Sequence, residues 1–109
     1  MKSYEIVSPD GIDTLRLSDR PIPEPGPRQV QVRINASSIN YRDLGTVSDP
    51  GPRGISYPTI PNSDGAGKVT AVGDRVTRFK IGDRVMGTFM QNWIDGPMTP
   101  TAIGSALGG

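Results

Sequence analysis

The sequence predicts a mainly β fold with one or two short helical turns, and three observations carry that expectation. Turn formers are abundant, with 14 glycines and 11 prolines in 109 residues, about twice their usual share. They fall between short apolar runs and not in one low-complexity tract, so they read as turn chemistry. The run Val30-Gln-Val-Arg-Ile-Asn-Ala36 then alternates strictly. Val30, Val32, Ile34 and Ala36 share one face and Gln31, Arg33 and Asn35 the other, the period of a half-buried strand.

Each element follows in order. Met1 to Val7 begins a strand, and Ser8-Pro9-Asp10-Gly11 is a turn in which proline presets one position and glycine supplies positive φ. Thr14 to Ser18 alternates and is expected to pair back as a hairpin. Pro21-Ile-Pro-Glu-Pro-Gly-Pro27 cannot sit inside a sheet, because proline brings no ladder donor. It is read as an extended connector, with a PxxP ligand as the alternative. After the strand Val30–Ala36, the segment Asn40 to Gly45 suits a single helical turn, Asn40 as N-cap and Asp43 on the dipole. Val47 to Ser56 is expected to be a mobile surface loop. Lys68 to Val72 and Val85 to Met90 are expected strands. Val72-Gly-Asp-Arg-Val76 and Ile81-Gly-Asp-Arg-Val85 nearly repeat, and are read as two strand-edge turns bracketing Phe79. Gln91 to Pro97 is a turn or loop, and Thr99 to Gly109 a weak, small-residue tail.

Composition narrows the function classes. Twelve Lys and Arg oppose eleven Asp and Glu, with the signs interspersed and no basic stripe of interleaved aromatics, so nucleic acid is not an expected partner. Apolar runs of only a few residues exclude a helical membrane span, and Met-Lys-Ser-Tyr-Glu lacks the apolar region of a signal peptide. The expected location is the cytoplasm. The chain has no cysteine and no histidine. That removes disulfides, thiolate nucleophiles, Ser-His-Asp chemistry and the common zinc sites. Gly65-Ala-Gly67 is not a dinucleotide fingerprint: Thr70 stands where a third glycine belongs, and the pair opens a strand, not a helix. Val69 after Gly67-Lys68 rules out a P-loop. Both glycines are read as backbone-packing devices.

Two stretches resemble one family. Pro58-Thr-Ile-Pro61-Asn62-Ser63-Asp64-Gly65-Ala66-Gly67, running on to Ile81-Gly-Asp-Arg-Val85, is similar to P-x-x-P-G-H-E-x-x-G followed by G-D-R-V in the medium-chain dehydrogenase/reductase superfamily. Val32-Arg-Ile-Asn-Ala-Ser-Ser-Ile-Asn40-Tyr41-Arg42-Asp43 resembles the segment V-x-G-V-C-H-S-D of its zinc alcohol dehydrogenases. By that match the metal-binding Cys falls at Asn40, its neighbouring His at Tyr41 and the proton-relaying Ser at Arg42, while Asp43 is kept. The ligand His of the first stretch falls at Ser63 and its Glu at Asp64. Ser63-Asp64 instead looks like the zinc-free quinone reductases.

The resemblance covers nearly the whole chain and implies a GroES-like, partly open β-barrel, residues 1–109 being the catalytic domain without the Rossmann cofactor domain. It implies hydride transfer from NADPH or NADH to a carbonyl, quinone or enone without zinc, in a homodimer. Asn40, Asp43 and Asp64 would line the cleft beside the nicotinamide, Tyr41 would donate to the substrate oxygen, and Arg42 would stabilise a developing enolate or alkoxide. Plainer readings stand beside these. Asn40 caps a helical turn, Asp43 sits on its dipole, Tyr41 is a half-buried packing residue, Arg42 is a solvated charge and Asp64 ends a turn. Phe89, Met90 and Trp93 wall an acceptor pocket or belong to the core. Ala106-Leu-Gly-Gly109 carries no closing signal, so the expectation is a truncated domain, inactive alone. The rival readings are a co-chaperonin or binding module of similar size, and a zinc alcohol dehydrogenase with a decayed metal site.

Overall fold

The computed structural model describes residues 1–109 and forms two small antiparallel sheets with short helices between them. Strands β1 (Lys2–Glu5) and β2 (Arg16–Asp19) make the expected hairpin, Tyr4 opposite Leu17. The intervening turn places Gly11 at φ 91° and adds a 3-10 turn, Ile12–Thr14. The second sheet has the order β3-β4-β5, with β3 Val30–Ala36, β4 Ala66–Val72 and β5 Arg84–Met86. Neither sheet closes on itself, consistent with a partly open barrel. Helix α1 spans Tyr41–Ser48, a second 3-10 turn Gly51–Arg53, and helix α2 Pro100–Ile103. No helix is long and apolar enough to cross a membrane.

The β3–β4 ladder is the frame. Its register runs from Val30 opposite Val72 to Ala36 opposite Ala66, with irregularities after Gln31 and after Ile34. At the second of these the strands approach so closely that a Cβ on Gly67 would lie 2.0 Å from the Arg33 carbonyl oxygen. Only glycine fits there. The two Gly-Asp-Arg-Val turns use their glycines differently. Gly82 adopts φ 96° with open space around it, whereas a Cβ on Gly73 would lie 2.0 Å from the Gly26 carbonyl oxygen.

The core is thin: nine residues are buried, Ile6, Val47, Val69 and Ala102 being its apolar members. Ile6 exchanges backbone hydrogen bonds with Thr59, at 2.8 and 3.1 Å, which ties the first sheet to the approach of the polar motif. The alternation of β3 is not matched by burial along its length. Val30 and Val32 are half-buried, but Ile34 is 56% exposed. It stands opposite Gly67 and lies over Gly65, neither of which has a side chain to cover it.

Four expectations are corrected. The helix starting after Asn40 runs eight residues, not one turn. Gly45 reads as a stop, yet the Arg53 guanidinium occupies the space a Cβ there would take, and Asp43, Thr46 and Val47 bury one face. Val47–Ser56 is accordingly not one loose loop, since its first residues finish α1, Pro50 is buried and a 3-10 turn follows. The strand expected over Val85–Met90 stops at Met86. Gly87 donates to Gly65 O, and beyond it Met90 pairs only in an isolated bridge with Ala106. The expected weak tail is also organised. Thr99 caps α2 by accepting from Ala102 N–H at 3.2 Å with Pro100 at the first position, and Leu107 N–H returns to Phe89 O at 2.9 Å.

Candidate functional site

The polar groups gather where β3 ends and β4 begins. Ser37, Ser38 and Asn40 leave β3, and Asn62, Ser63 and Asp64 arrive at β4, so pairing Ala36 with Ala66 places the two triplets side by side. Asn62 turns the chain with φ 77°, a left-handed conformation that asparagine tolerates better than most residues. Ser37 Oγ donates to the Asp64 backbone carbonyl at 2.7 Å and accepts from Asn62 Nδ2 at 3.4 Å. The Asp64 carboxylate is then ringed by donors: Asn40 Nδ2 at 2.9 Å and Ser38 Oγ at 3.2 Å to Oδ2, and Ser63 Oγ at 3.0 Å to Oδ1.

Those donors bond the charged form of Asp64 and hold its pKa below the ordinary 3.8, Asn40 contributing most, then Ser63 and Ser38. Partial desolvation opposes them, and the positive field of Arg42 adds to the lowering. Asp64 is therefore a fixed, exposed anion at neutral pH and not a proton donor. It is an acceptor that orients the Asn40 amide.

Of the remaining candidates, Asp43 is buried and turned inward. Its Oδ2 accepts from Asn40 N–H at 2.7 Å, closing the capping box of α1, and its Oδ1 faces Arg42 Nη1 at 3.3 Å. Asn40 thus caps the helix through its main chain and reaches Asp64 through its side chain. The plain reading of this residue and the cleft reading are compatible. Arg42 is not a solvated charge. Besides Asp43 it donates to the carbonyls of Leu107, at 3.2 Å, and Gly109, and its guanidinium lies 4.9 Å from the Phe89 ring centroid. Tyr41 stands apart. As the first residue of α1 it is 91% exposed, not half-buried, and its hydroxyl has no protein partner. Beside it Ile39 is 82% exposed, giving Asn40 an apolar and aromatic rim. Phe89 and Trp93 are part-exposed and outside the core, with Trp93 Nε1 donating to Gly96 O at 3.0 Å.

The sequence placed Asn62 in the polar motif with Ser63 and Asp64 but did not single out Ser37 or Ser38 as parts of this cluster. The signal available was two adjacent serines directly after a strand, which fit no core role. An open concavity of about 770 Å³ beside Val7, Asp13 and Leu17 lies away from the cluster and shares no residue with it.

The alcohol dehydrogenase GroES-like domain matches residues 26–105. A zinc-type alcohol dehydrogenase-like protein of Schizosaccharomyces pombe is 40% identical over 100 residues, which cover 91% of this chain and 29% of that protein. A quinone oxidoreductase of Pseudomonas aeruginosa is 42% identical over 89 residues, 77% of this chain and 26% of its own length. Among solved structures, the Escherichia coli quinone oxidoreductase complexed with NADPH superposes with a TM-score of 0.71 at 29% identity, covering 79% of this chain and 26% of that one. The chain therefore spans just over a quarter of the length of these relatives. A match of that extent places the chain in the alcohol dehydrogenase GroES-like domain family of the medium-chain dehydrogenase/reductase superfamily.

Proposed function

We propose that these residues form the substrate-side domain of a zinc-independent oxidoreductase that transfers hydride from NADPH or NADH to a carbonyl, quinone or enone. The observation that carries this reading is the Asn40–Asp64 contact, an amide and an ionised carboxylate at the positions that, by the resemblance, hold a thiolate ligand and a glutamate in the zinc branch. The donor set does not fit zinc, which favours thiolate and imidazole in closed tetrahedral sites. Asn40, Ser63 and Tyr41 are poor ligands, and no three carboxylates converge anywhere in the chain. Relatives named as quinone oxidoreductases, one in complex with NADPH, support the cofactor class.

The site fits a nicotinamide ring in its chemistry. Asn40 and Asp64 offer an amide and a carboxylate at the surface, suited to a carboxamide, and an anion beside the ring favours the cationic oxidised form. When bound, the cofactor supplies the hydride. Asn40 positions, held at its main chain by Asp43 and at its side chain by Asp64. The free Tyr41 hydroxyl donates a hydrogen bond to the acceptor oxygen. The role assigned to it is polarisation of that oxygen through the hydrogen bond. Arg42 has its N–H groups engaged and contributes positive potential, which already reaches Asp64. No phosphate-cradling glycine turn lies within the 109 residues, so this stretch by itself is expected to be inactive.

The test is NADPH oxidation with a quinone by the complete gene product, with metal analysis of the same sample. Turnover should survive a strong chelator with substoichiometric zinc. Asn40→Ala should lower kcat/KM by roughly ten- to a hundredfold, the scale of a misplaced reactant. Stoichiometric zinc, or turnover that stops with chelation, would overturn the zinc-free reading. Quinone reduction by the 109 residues alone would overturn the dependence on a separate nucleotide site.

A further inference from the structure

A second group of charges collects at the opposite end of the β3–β4 ladder, and the proposed hydride chemistry does not use it. Arg28, Arg75 and Arg78 line an open concavity of about 270 Å³ together with Val30, Val76 and Phe79. None of the three arginines has a carboxylate partner, since the molecule's ion pairs are Met1–Asp19, Arg20–Glu5 and Arg42–Asp43. Asp74, adjacent to Arg75 in sequence, forms no hydrogen bond or ion pair with any of them.

The backbone beneath is fixed. Arg75 N–H donates to Pro27 O at 2.8 Å and Gly73 N–H to Gln29 O at 2.9 Å. The contact of Gly73 with Gly26 leaves no room between the two segments. Arg28 and Arg75 are thereby presented from adjoining, locked strands of chain. Arg78 lies 5.3 Å from the Phe79 ring centroid, within cation–π range, which keeps its charge at the aromatic wall.

Three uncompensated guanidiniums around an apolar floor favour an anion with an organic substituent. The guanidinium fork matches phosphate oxygens in pairs, and a phosphomonoester carries close to two negative charges. We propose that this concavity binds a small phosphomonoester, its phosphate held by Arg28 and Arg75 and its ring or alkyl portion lying against Val76 and Phe79.

Phenyl phosphate is a suitable probe, titrated into the 109-residue chain while the arginine Nε–H and Phe79 ring resonances are followed by NMR. Saturable shifts confined to Arg28, Arg75, Arg78 and Phe79 are expected. Inorganic phosphate should bind about tenfold more weakly, having no group for the apolar wall. The double variant Arg28→Gln/Arg75→Gln should lose at least tenfold in affinity, on the scale of a charge-assisted hydrogen bond. Arg16→Gln/Arg33→Gln, with the same change in net charge, should retain it. All four side chains are exposed, and unshifted α1 and β4 amides would certify the fold. Equal loss in both double variants, or shifts spread over the surface, would overturn the site. Length-dependent binding of a single-stranded oligonucleotide that is tighter than phenyl phosphate and abolished by Arg28→Gln/Arg75→Gln would reassign it to nucleic acid.

Discussion

The two ends of the β3–β4 ladder are closed by different means. At the Val30–Val72 end the closure is main chain on main chain, with Gly73 pressed against Gly26 and two backbone hydrogen bonds joining residues 73–75 to 27–29. At the Ala36–Ala66 end it is made by side chains, where Ser37, Ser38, Asn40 and Ser63 converge on Asp64. Backbone groups consumed in a tight contact cannot be released without unfolding it. Exposed hydroxyl, amide and carboxylate groups exchange one partner for another at small net cost. At the first end the closing groups are committed to the fold and leave only the side chains around them for a ligand, whereas at the second the closing groups themselves can turn to one.

The sharpest test of that contrast uses one substitution at each end. Gly73→Ala drives a Cβ to 2.0 Å from a carbonyl oxygen of Gly26, and relief requires the backbone to move. A loss of about 3 kcal/mol is expected, the upper part of the overpacking range. Gly65→Ala meets only the Ile34 Cδ1 atom at 3.0 Å, the end of a side chain that is 56% exposed and can turn aside. That variant should stay within about 1 kcal/mol of the parent. Urea unfolding with an unchanged m-value reads both. Equal losses would mean that the polar end is as rigid as the other.

The contrast was only partly legible in the sequence. Strict alternation fixed β3 at Val30–Ala36, because a half-buried strand imposes that pattern. Ser8-Pro-Asp-Gly11 announced the first hairpin, and of the two strand-opening glycines Gly67 meets backbone closely while Gly65 meets only the Ile34 side chain. Helix α1 runs on through Gly45, and Thr46 and Val47 beyond it are buried, a packing gain that the local pattern does not display. The partners of Arg42 lie 65 and 67 residues away, a separation at which local pattern carries no information. Asp64 and its neighbour Ser63 stood out through their motif, but Ser37 and Ser38 did not, since they reach Asp64 only after β3 and β4 pair.

A smaller effect separates the ends by pH. Asp64 has its pKa lowered in the folded chain relative to 3.8, so its contribution to stability is fully present above that value. It is lost as pH falls through the lower folded value, when the protonated carboxyl gives up its donors. No change from this group is expected on titration from neutral pH down to about 5. Carbon-detected NMR of the Asp64 carboxyl should give a midpoint below 3.8. Asn40→Ala, which removes the largest cause, should move the midpoint upward, and a parent midpoint at or above 3.8 would contradict the arrangement. Gly73→Ala should leave it in place, because nothing at that end bonds the carboxylate.

The smallest effect is expected beside the Val30–Val72 pair, where Thr70 Oγ1 donates to Gln31 Oε1 at 2.7 Å and Gln31 Nε2 donates to Pro23 O at 2.7 Å. This chain links the strand to the proline-rich connector, but Thr70 and Pro23 are exposed and Gln31 is only half-buried, so water can replace each bond. Valine keeps the β-branched shape that a strand favours, so Thr70→Val should change stability by less than about 0.5 kcal/mol. If it costs as much as Gly73→Ala, the connector is held by side chains along its length and not by the backbone contact at Gly26. Closure at that end would then be as exchangeable as the hydrogen bonds around Asp64.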